Sequence, residues 1–276
     1  MAQAKVRARR KAATADDAPS TGRRRALVTG ASSGIGEEFA RQLAKKGYDL
    51  VLVARRKDRL DKLASELSQT HGIAAEVLEA DLSGTEGVSS VETRLAVGDI
   101  DLLVNNAGFA TRGNFAALSV WRELEEIDVN IKALMVLTHA ALQSMVQRRK
   151  GTIINVGSTA SFQPLPYLST YAATKAFVLH FSEGVHEEVK AHGVTVTCLC
   201  PGFVLTEFQQ VAGLEERRLR NVGRLSTRQV VAAALRGAAS GKAIVVPGAF
   251  NRAMSTSVRA VPRFAVRRVA GRLFKE

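Results

Sequence analysis

The chain has 276 residues, 46% of them hydrophobic and 5% aromatic, which suits one large α/β domain or two small ones with a core of Val, Leu, Ile and Ala. The net charge of +13 is not spread evenly: residues 1–25 carry +6, residues 251–276 carry +6, and the body between them carries +1. That distribution argues against a nucleic-acid groove binder, whose basic stripe sits on the fold itself, and no run of about 18 apolar residues suggests a membrane span.

Residues 1–22 are rich in Ala, Arg and Thr without an apolar period and read as a disordered basic tail. The basic start Met1–Lys11 lacks the apolar stretch of a secretory signal. From Arg23 onward the chain alternates short apolar runs with helical stretches. The runs Ala26–Thr29, Leu50–Ala54, Ala75–Glu79, Leu102–Asn105, Thr152–Val156, Val194–Leu199 and Ala243–Val246 predict strands, and 34–46, 57–70, 84–96, 119–149, 170–191 and 226–239 predict helices. Most of the strand runs are continuous Val, Ile and Leu, as a sheet covered on both faces requires. Strand–helix repetition implies parallel strands joined by right-handed crossovers. The expectation is one α/β domain over 23–250, a doubly wound parallel sheet of about seven strands with helices on both faces. Ligands of such sheets bind at the carboxyl ends of the strands.

The first strand runs into Thr29-Gly30-Ala31-Ser32-Ser33-Gly34-Ile35-Gly36, directly before a helix. Glycines permit a sharp turn and a close approach of backbone to ligand, and the helix N-terminus offers free N–H groups to a pyrophosphate. Gly30, Ser32, Ser33, Gly34, Ile35 and Gly36 are therefore expected to hold a dinucleotide. The second strand ends Ala54-Arg55-Arg56-Lys57 with no carboxylate before Asp58. A carboxylate there would accept hydrogen bonds from a ribose 2′-hydroxyl, whereas Arg55 suits a 2′-phosphate. The predicted cofactor is NADP(H) rather than NAD(H). Asp81 and Leu82 after the third strand, and Asn105, Ala107 and Gly108 after the fourth, fall where adenine and the inner ribose would lie. Asn106 reads as a stabiliser of the turn itself.

Ser158 follows the fifth strand, and thirteen residues later come Tyr171 and Lys175, spaced i, i+4 on one face of the predicted helix. A phenol titrates near pH 10, too high for proton transfer at neutrality, and a neighbouring ammonium is expected to bring it down. Such a pair can exchange a proton with a substrate oxygen, to which a hydroxyl such as Ser158 can also hydrogen-bond.

These pieces (TGASSGIG at 29–36, NNAG at 105–108, Ser158, YAATK at 171–175, and Pro201-Gly202 with Thr206) resemble the short-chain dehydrogenase/reductase family in order and spacing over about residues 24–247. The resemblance implies a Rossmann fold with Tyr171 as general acid/base, Lys175 on the nicotinamide ribose and Ser158 polarising the carbonyl. It implies that Asn130 holds a water in a proton relay, and that Pro201, Gly202, Val204 and Thr206 pack on the nicotinamide. The alternative is a non-catalytic NADP(H)-binding sensor or scaffold.

The expected substrate is a hydrophobic ketone or aldehyde, or the matching secondary alcohol, in a pocket of Phe109, Phe162, Leu165, Phe203 and Phe208, with Phe115 and Leu205 nearby. No His, Asp or Glu cluster has metal-site spacing, so no metal is expected. Cys198 and Cys200 read as reduced thiols on one strand face, which suits the cytoplasm. The long apolar helices suggest a homodimer or homotetramer. In the tail 251–276, a helix starting at Pro262 would set Ala265, Val266, Val269, Ala270 and Leu273 opposite a basic face. Such a helix suits an anionic membrane surface, or equally the domain or a partner subunit.

Overall fold

The computed structural model describes residues 22–204, 206–208, 212 and 223–275; apart from Gly22, the tail expected to be disordered lies outside them, as does Leu205. Seven strands form one sheet: β1 (Arg25–Thr29), β2 (Asp49–Ala54), β3 (Ala75–Glu79), β4 (Leu102–Asn105), β5 (Gly151–Val156), β6 (Val194–Leu199) and β7 (Ile244–Val245). Their order is β3-β2-β1-β4-β5-β6-β7, and every pair is parallel. β7 is shorter than the run Ala243–Val246 suggested because Pro247 follows and has no N–H to continue the ladder.

The helices are α1 (Gly34–Lys45), α2 (Lys57–His71), α3 (Thr85–Ala96), α4 (Val120–Ile127), α5 (Leu134–Gln147), α6 (Ser169–Lys190), α7 (Thr227–Ala239), α8 (Ala249–Ser257) and α9 (Arg263–Phe274). The pleat sorts the strands between two cores. Ala26 and Val28, Leu50 and Leu52, Leu102 and Val104 face one side, with Phe39 and Leu43 of α1, Leu60 and Leu67 of α2, and Val230 and Ala234 of α7. Leu27, Val51, Val53, Leu103 and Ile153 face the other, with Val91 of α3, Leu137 and Met145 of α5, and Val189 of α6. Buried on both faces, β1, β2 and β4 had to be almost continuously apolar, whereas the edge strand β3 carries exposed Glu76 and Glu79.

The predicted helix 119–149 is interrupted. Between α4 and α5 lies a π-helical turn, Asp128–Ala133, a widening often found at functional sites. The whole stretch Val120–Gln147 reaches the length and, at a mean hydropathy of 1.2, the composition of a membrane span, which the residue count in the sequence had not suggested. Its inner side nevertheless packs on the sheet through Leu137, Ala141 and Met145.

α9 lies against the domain. Ala270 is buried beside Leu165, Leu168 and Ala172, with Phe274 packed on the same cluster, while Val269 and Leu273 are each 58% exposed. The helical wheel had put Val269 and Leu273 on the docked side; the actual docking stripe runs through Ala270 and Phe274. Gly271 faces Pro166 across the same contact.

Candidate active site

Sheet order reverses between β1 and β4, and the crevice at that switch point is where doubly wound sheets bind ligands. It is here a cleft of about 440 Å³ running from the glycine turn to α6. Gly30 and Gly34 have φ of 66° and 60°, the left-handed region that glycine adopts at no steric cost. A Cβ on Gly36 would stand 2.2 Å from the Gly30 carbonyl oxygen and 2.5 Å from Asn106 Nδ2. Gly36 therefore lies under the turn and permits α1 to pack against it, while Gly30, Ser32, Ser33, Gly34 and Ile35 line the cleft. Asn106 clasps the turn, Nδ2 donating to the Thr29 oxygen (2.9 Å) and the Gly30 oxygen (3.3 Å). Thr29 Oγ1 accepts from the backbone N–H of Asn106 and of Ala107, both at 3.0 Å.

Arg55 lines the cleft, 65% exposed and 3.8 Å from Asp81. Its neighbour Arg56, which the sequence reading passed over, is held more firmly. Its guanidinium donates to Ser32 Oγ (3.0 and 3.2 Å), Ser33 Oγ (2.9 Å) and Glu207 Oε2 (2.8 Å). Asp81, Leu82, Ala107 and Gly108 line the next stretch, with Arg122 standing 4.0 Å over the Phe109 ring. Asn105, expected at the cofactor, points the other way: as the last residue of β4 it is buried, donating to Asn155 Oδ1 (2.9 Å) and Thr138 Oγ1 (3.0 Å).

Ser158, Tyr171 and Lys175 meet at the far end of the cleft. Ser158 caps a short 3₁₀ turn, Thr159–Phe162, its Oγ accepting from Ala160 N at 3.1 Å. Ser161 ties this turn to the helix, its Oγ accepting from Ser158 N (3.2 Å) and donating to the Lys175 carbonyl oxygen (2.7 Å). The buried Lys175 ammonium donates to the Val156 carbonyl oxygen (2.8 Å) and lies 5.8 Å from the Tyr171 ring centre. Gly108 makes room beside it for Asn130, since a Cβ there would stand 2.7 Å from Asn130 Oδ1.

The expected lowering of the Tyr171 pKa is not what the site shows. Burial pushes the Tyr171 phenol up to about 12, with the Ser158 hydrogen bond pulling the other way, and burial pushes Lys175 down to about 8. Desolvation dominates both shifts because it penalises each charged form. The phenol is therefore poised as a proton donor.

Asn130 sits in the π turn and is fully buried. It grips the loop after β4, Nδ2 donating to the Phe109 oxygen (3.0 Å) and to Thr174 Oγ1 (3.1 Å), and Oδ1 accepting from Phe109 N (3.2 Å). One turn earlier stand two buried carboxylates that the sequence reading missed. Glu126 accepts from Thr111 N (2.9 Å) and Thr111 Oγ1 (2.8 Å), and Glu123 accepts from Thr170 Oγ1, beside Tyr171. Burial pushes Glu126 up to about 7.

Phe109, Leu165, Phe203 and Phe208 line the substrate end, joined by Phe274 of α9. Phe208 packs on Tyr171 with ring centres 5.5 Å apart. Phe162 does not join them: the 3₁₀ turn carries it behind the site, onto Leu134, Val178 and Leu179. Phe115 is 59% exposed, away from the cleft. Pro201, Gly202, Val204 and Thr206 form the remaining wall. Cys198 and Cys200 share one face of β6 and the segment after it as buried free thiols, with Sγ atoms 3.6 Å apart. Among the described residues no three His, Cys, Asp or Glu gather as a metal site would require.

A glycine-turned crevice at the switch point of a seven-stranded parallel sheet, with serine, tyrosine and lysine at its end, has the form of a dinucleotide site of the Rossmann type. The family model described as short chain dehydrogenase matches residues 24–217, and the chain belongs to that family. It is 35% identical over 193 residues to the very-long-chain 3-oxoacyl-CoA reductase of Anas platyrhynchos, covering 68% of this chain and 62% of the duck protein. The chain thus spans about three fifths of the length of the curated relatives it matches. Among solved structures it is similar to a short-chain dehydrogenase from Sphingobium yanoikuyae in complex with NADPH, with TM-score 0.80, 37% identity, and coverage of 86% of this chain and 92% of that one. It is similar also to the bulky-bulky ketone specific alcohol dehydrogenase from Comamonas testosteroni, with TM-score 0.75, 33% identity, and coverage of 87% and 93%.

Because a methyl group at Gly36 would collide with backbone, Gly36→Ala should destabilise the protein by about 1–3 kcal/mol. Denaturant unfolding checks this, and an unchanged midpoint would contradict the packing role.

Proposed function

We propose that this protein is an NADP(H)-dependent oxidoreductase that reduces a ketone or aldehyde carried between bulky apolar groups, or oxidises the matching alcohol. The observation that carries the reading is one continuous cleft with a serine–arginine cradle at one end and Ser158, Tyr171 and Lys175 against an aromatic wall at the other. Ser32, Arg55 and Arg56 suit an adenosine 2′-phosphate, because a guanidinium matches phosphate geometry. The glycine turn and the N-terminus of α1 suit the pyrophosphate, and Gly30, Gly34 and Ile35 line the cleft there. When bound, the dinucleotide supplies the hydride.

The protein supplies orientation and a proton. Ser158 Oγ accepts from Ala160 N, and its own hydrogen, directed at Tyr171 in this structure, is the one a substrate oxygen would accept. Tyr171 gives that oxygen its phenolic proton. The Lys175 ammonium, held by Val156 and beside the loop that Asn130 grips, favours the phenolate left behind. Among the described residues the wall beside Tyr171 is aromatic, formed by Phe203, Phe208 and Phe274, with Arg122 stacked on Phe109, a lining that favours an apolar substrate. Names among the relatives agree with this: one acts on 3-oxoacyl-CoA of very long chain and one on bulky-bulky ketones.

Two surface features extend the reading. Trp121, Leu124 and Met135 are exposed along α4 and α5, which favours a second copy of the chain as their cover. On α9, Phe264, Val269 and Leu273 stay exposed beside Arg268 and Arg272, a pattern that favours peripheral contact with an anionic membrane. Sedimentation with anionic vesicles should retain the full chain and release Arg268→Glu/Arg272→Glu; equal retention of both would contradict this contact.

The central test is oxidation of NADPH and of NADH against a panel of bulky and small ketones and aldehydes. Turnover should prefer NADPH and bulky apolar substrates, and fall by at least about 10²-fold in Tyr171→Phe. Undiminished turnover in the variant would overturn the assignment of the acid, and better turnover with NADH would overturn the cofactor.

A further inference from the structure

We propose that Glu207 is an internal competitor for the cofactor's 2′-phosphate, a carboxylate that occupies the phosphate-binding arginine and so sets how strongly the protein distinguishes NADPH from NADH. The inference rests on the NADP(H) reading above and goes beyond it, to the residue that limits cofactor preference.

Arg56 is anchored on the cofactor side by Ser32 and Ser33, the two hydroxyls of the glycine turn. Its third nitrogen, Nη1, donates to Glu207 Oε2 at 2.8 Å. The other oxygen of the same carboxylate accepts from Arg59 Nη1 at 2.6 Å. Glu207 therefore bridges two guanidinium groups with both of its oxygens, the geometry an oxyanion adopts between two arginines. Both partners hold its carboxyl below the ordinary carboxylate range, Arg59 first, so it is an anion at neutral pH. It belongs to the wall after β6, far from Arg56 in sequence, and its neighbours Thr206 and Phe208 touch Gly34 and Tyr171 respectively. It is thus an anion delivered by another part of the cleft to the place where the sheet end gathers positive charge.

A dianionic phosphate arriving at Arg56 and Ser32 meets this carboxylate as a like charge beside the same donors, and must displace it or tolerate it. Either course weakens NADPH binding and leaves NADH, which has a 2′-hydroxyl there, nearly untouched. The pair is about 40% exposed on each side, so the cost is that of surface ion pairs rather than buried ones.

The experiment is a direct binding titration of NADPH, NADH, 2′,5′-ADP and ADP to the full chain, in wild type, Glu207→Gln, Arg56→Gln and the double variant. The wild type should bind NADPH more tightly than NADH. Glu207→Gln should bind NADPH and 2′,5′-ADP about tenfold more tightly, corresponding to two surface ion pairs, with NADH and ADP within about twofold. In the Arg56→Gln background the gain should vanish, since the two anions no longer share a donor. Weaker NADPH binding in Glu207→Gln, or the same change for phosphorylated and unphosphorylated ligands, would overturn the inference while leaving the cofactor reading intact. A wild type that binds NADH as tightly as NADPH, or neither, would overturn the cofactor reading and this inference with it.

Discussion

At the carboxyl ends of β1 and β4 the chain leaves the sheet in opposite directions, and one amide holds the two exits in register. Asn106 spends its Nδ2 on the Thr29 and Gly30 carbonyls, and Thr29 returns its hydroxyl to the backbone of Asn106 and Ala107. Everything that makes the cleft depends on this clasp. It fixes the left-handed turn at Gly30, brings Gly36 under that turn, and so aims the free N–H groups of α1 into the crevice. The glycines are there because backbone and amide already fill the space a side chain would need.

The reacting end is built on the same plan, with polar groups used as joints. Thr138, Asn105, Asn155 and Ser182 form a buried chain of hydrogen bonds from α5 through β4 and β5 to α6. Breaking any of these bonds would leave a buried donor unpaired at a cost, so the chain fixes α6 relative to the strands. Ser161 adds a second joint between the Ser158 turn and Lys175. Asn130, Glu123 and Glu126 add a third, from the α4–α5 helix to the loop after β4 and to the start of α6. Tyr171 and Lys175 are thereby held in a low-dielectric site, where burial raises the one pKa and lowers the other.

Much of this was legible in the residues. Continuous Val, Ile and Leu runs marked the strands of a sheet covered on both faces, and glycine spacing marked the turn. The i, i+4 pair Tyr171 and Lys175 marked the chemical end. What stayed hidden was direction. Arg55, Arg56 and Lys57 are one charged run, and only the geometry at the start of α2 shows that Arg56 turns into the cleft. Asn105 and Asn106 are adjacent and identical, yet the pleat sends one into the core and one to the turn. Phe162 looked like lining until the cap at Ser158 carried it behind the site. Glu123 and Glu126 resembled the solvated charges of an ordinary helix; the signal available was their i, i+3 spacing on the face that also carries Asn130. The lowered phenol pKa expected from Lys175 ignored the burial that the two groups share.

That shared burial is the central physical claim, and the pH dependence of kcat/KM for the reduced cofactor, with a carbonyl as acceptor, tests it most directly. Such a profile reports groups of the free enzyme. With Lys175 near 8 and charged below that pH, and Tyr171 near 12 and protonated throughout, the reductive rate should be highest while both carry their protons. It should then fall above about pH 8, approaching tenfold per unit. A rate that rises between pH 7 and 10 would contradict this account, because it would make the phenolate, not the phenol, the working form of Tyr171.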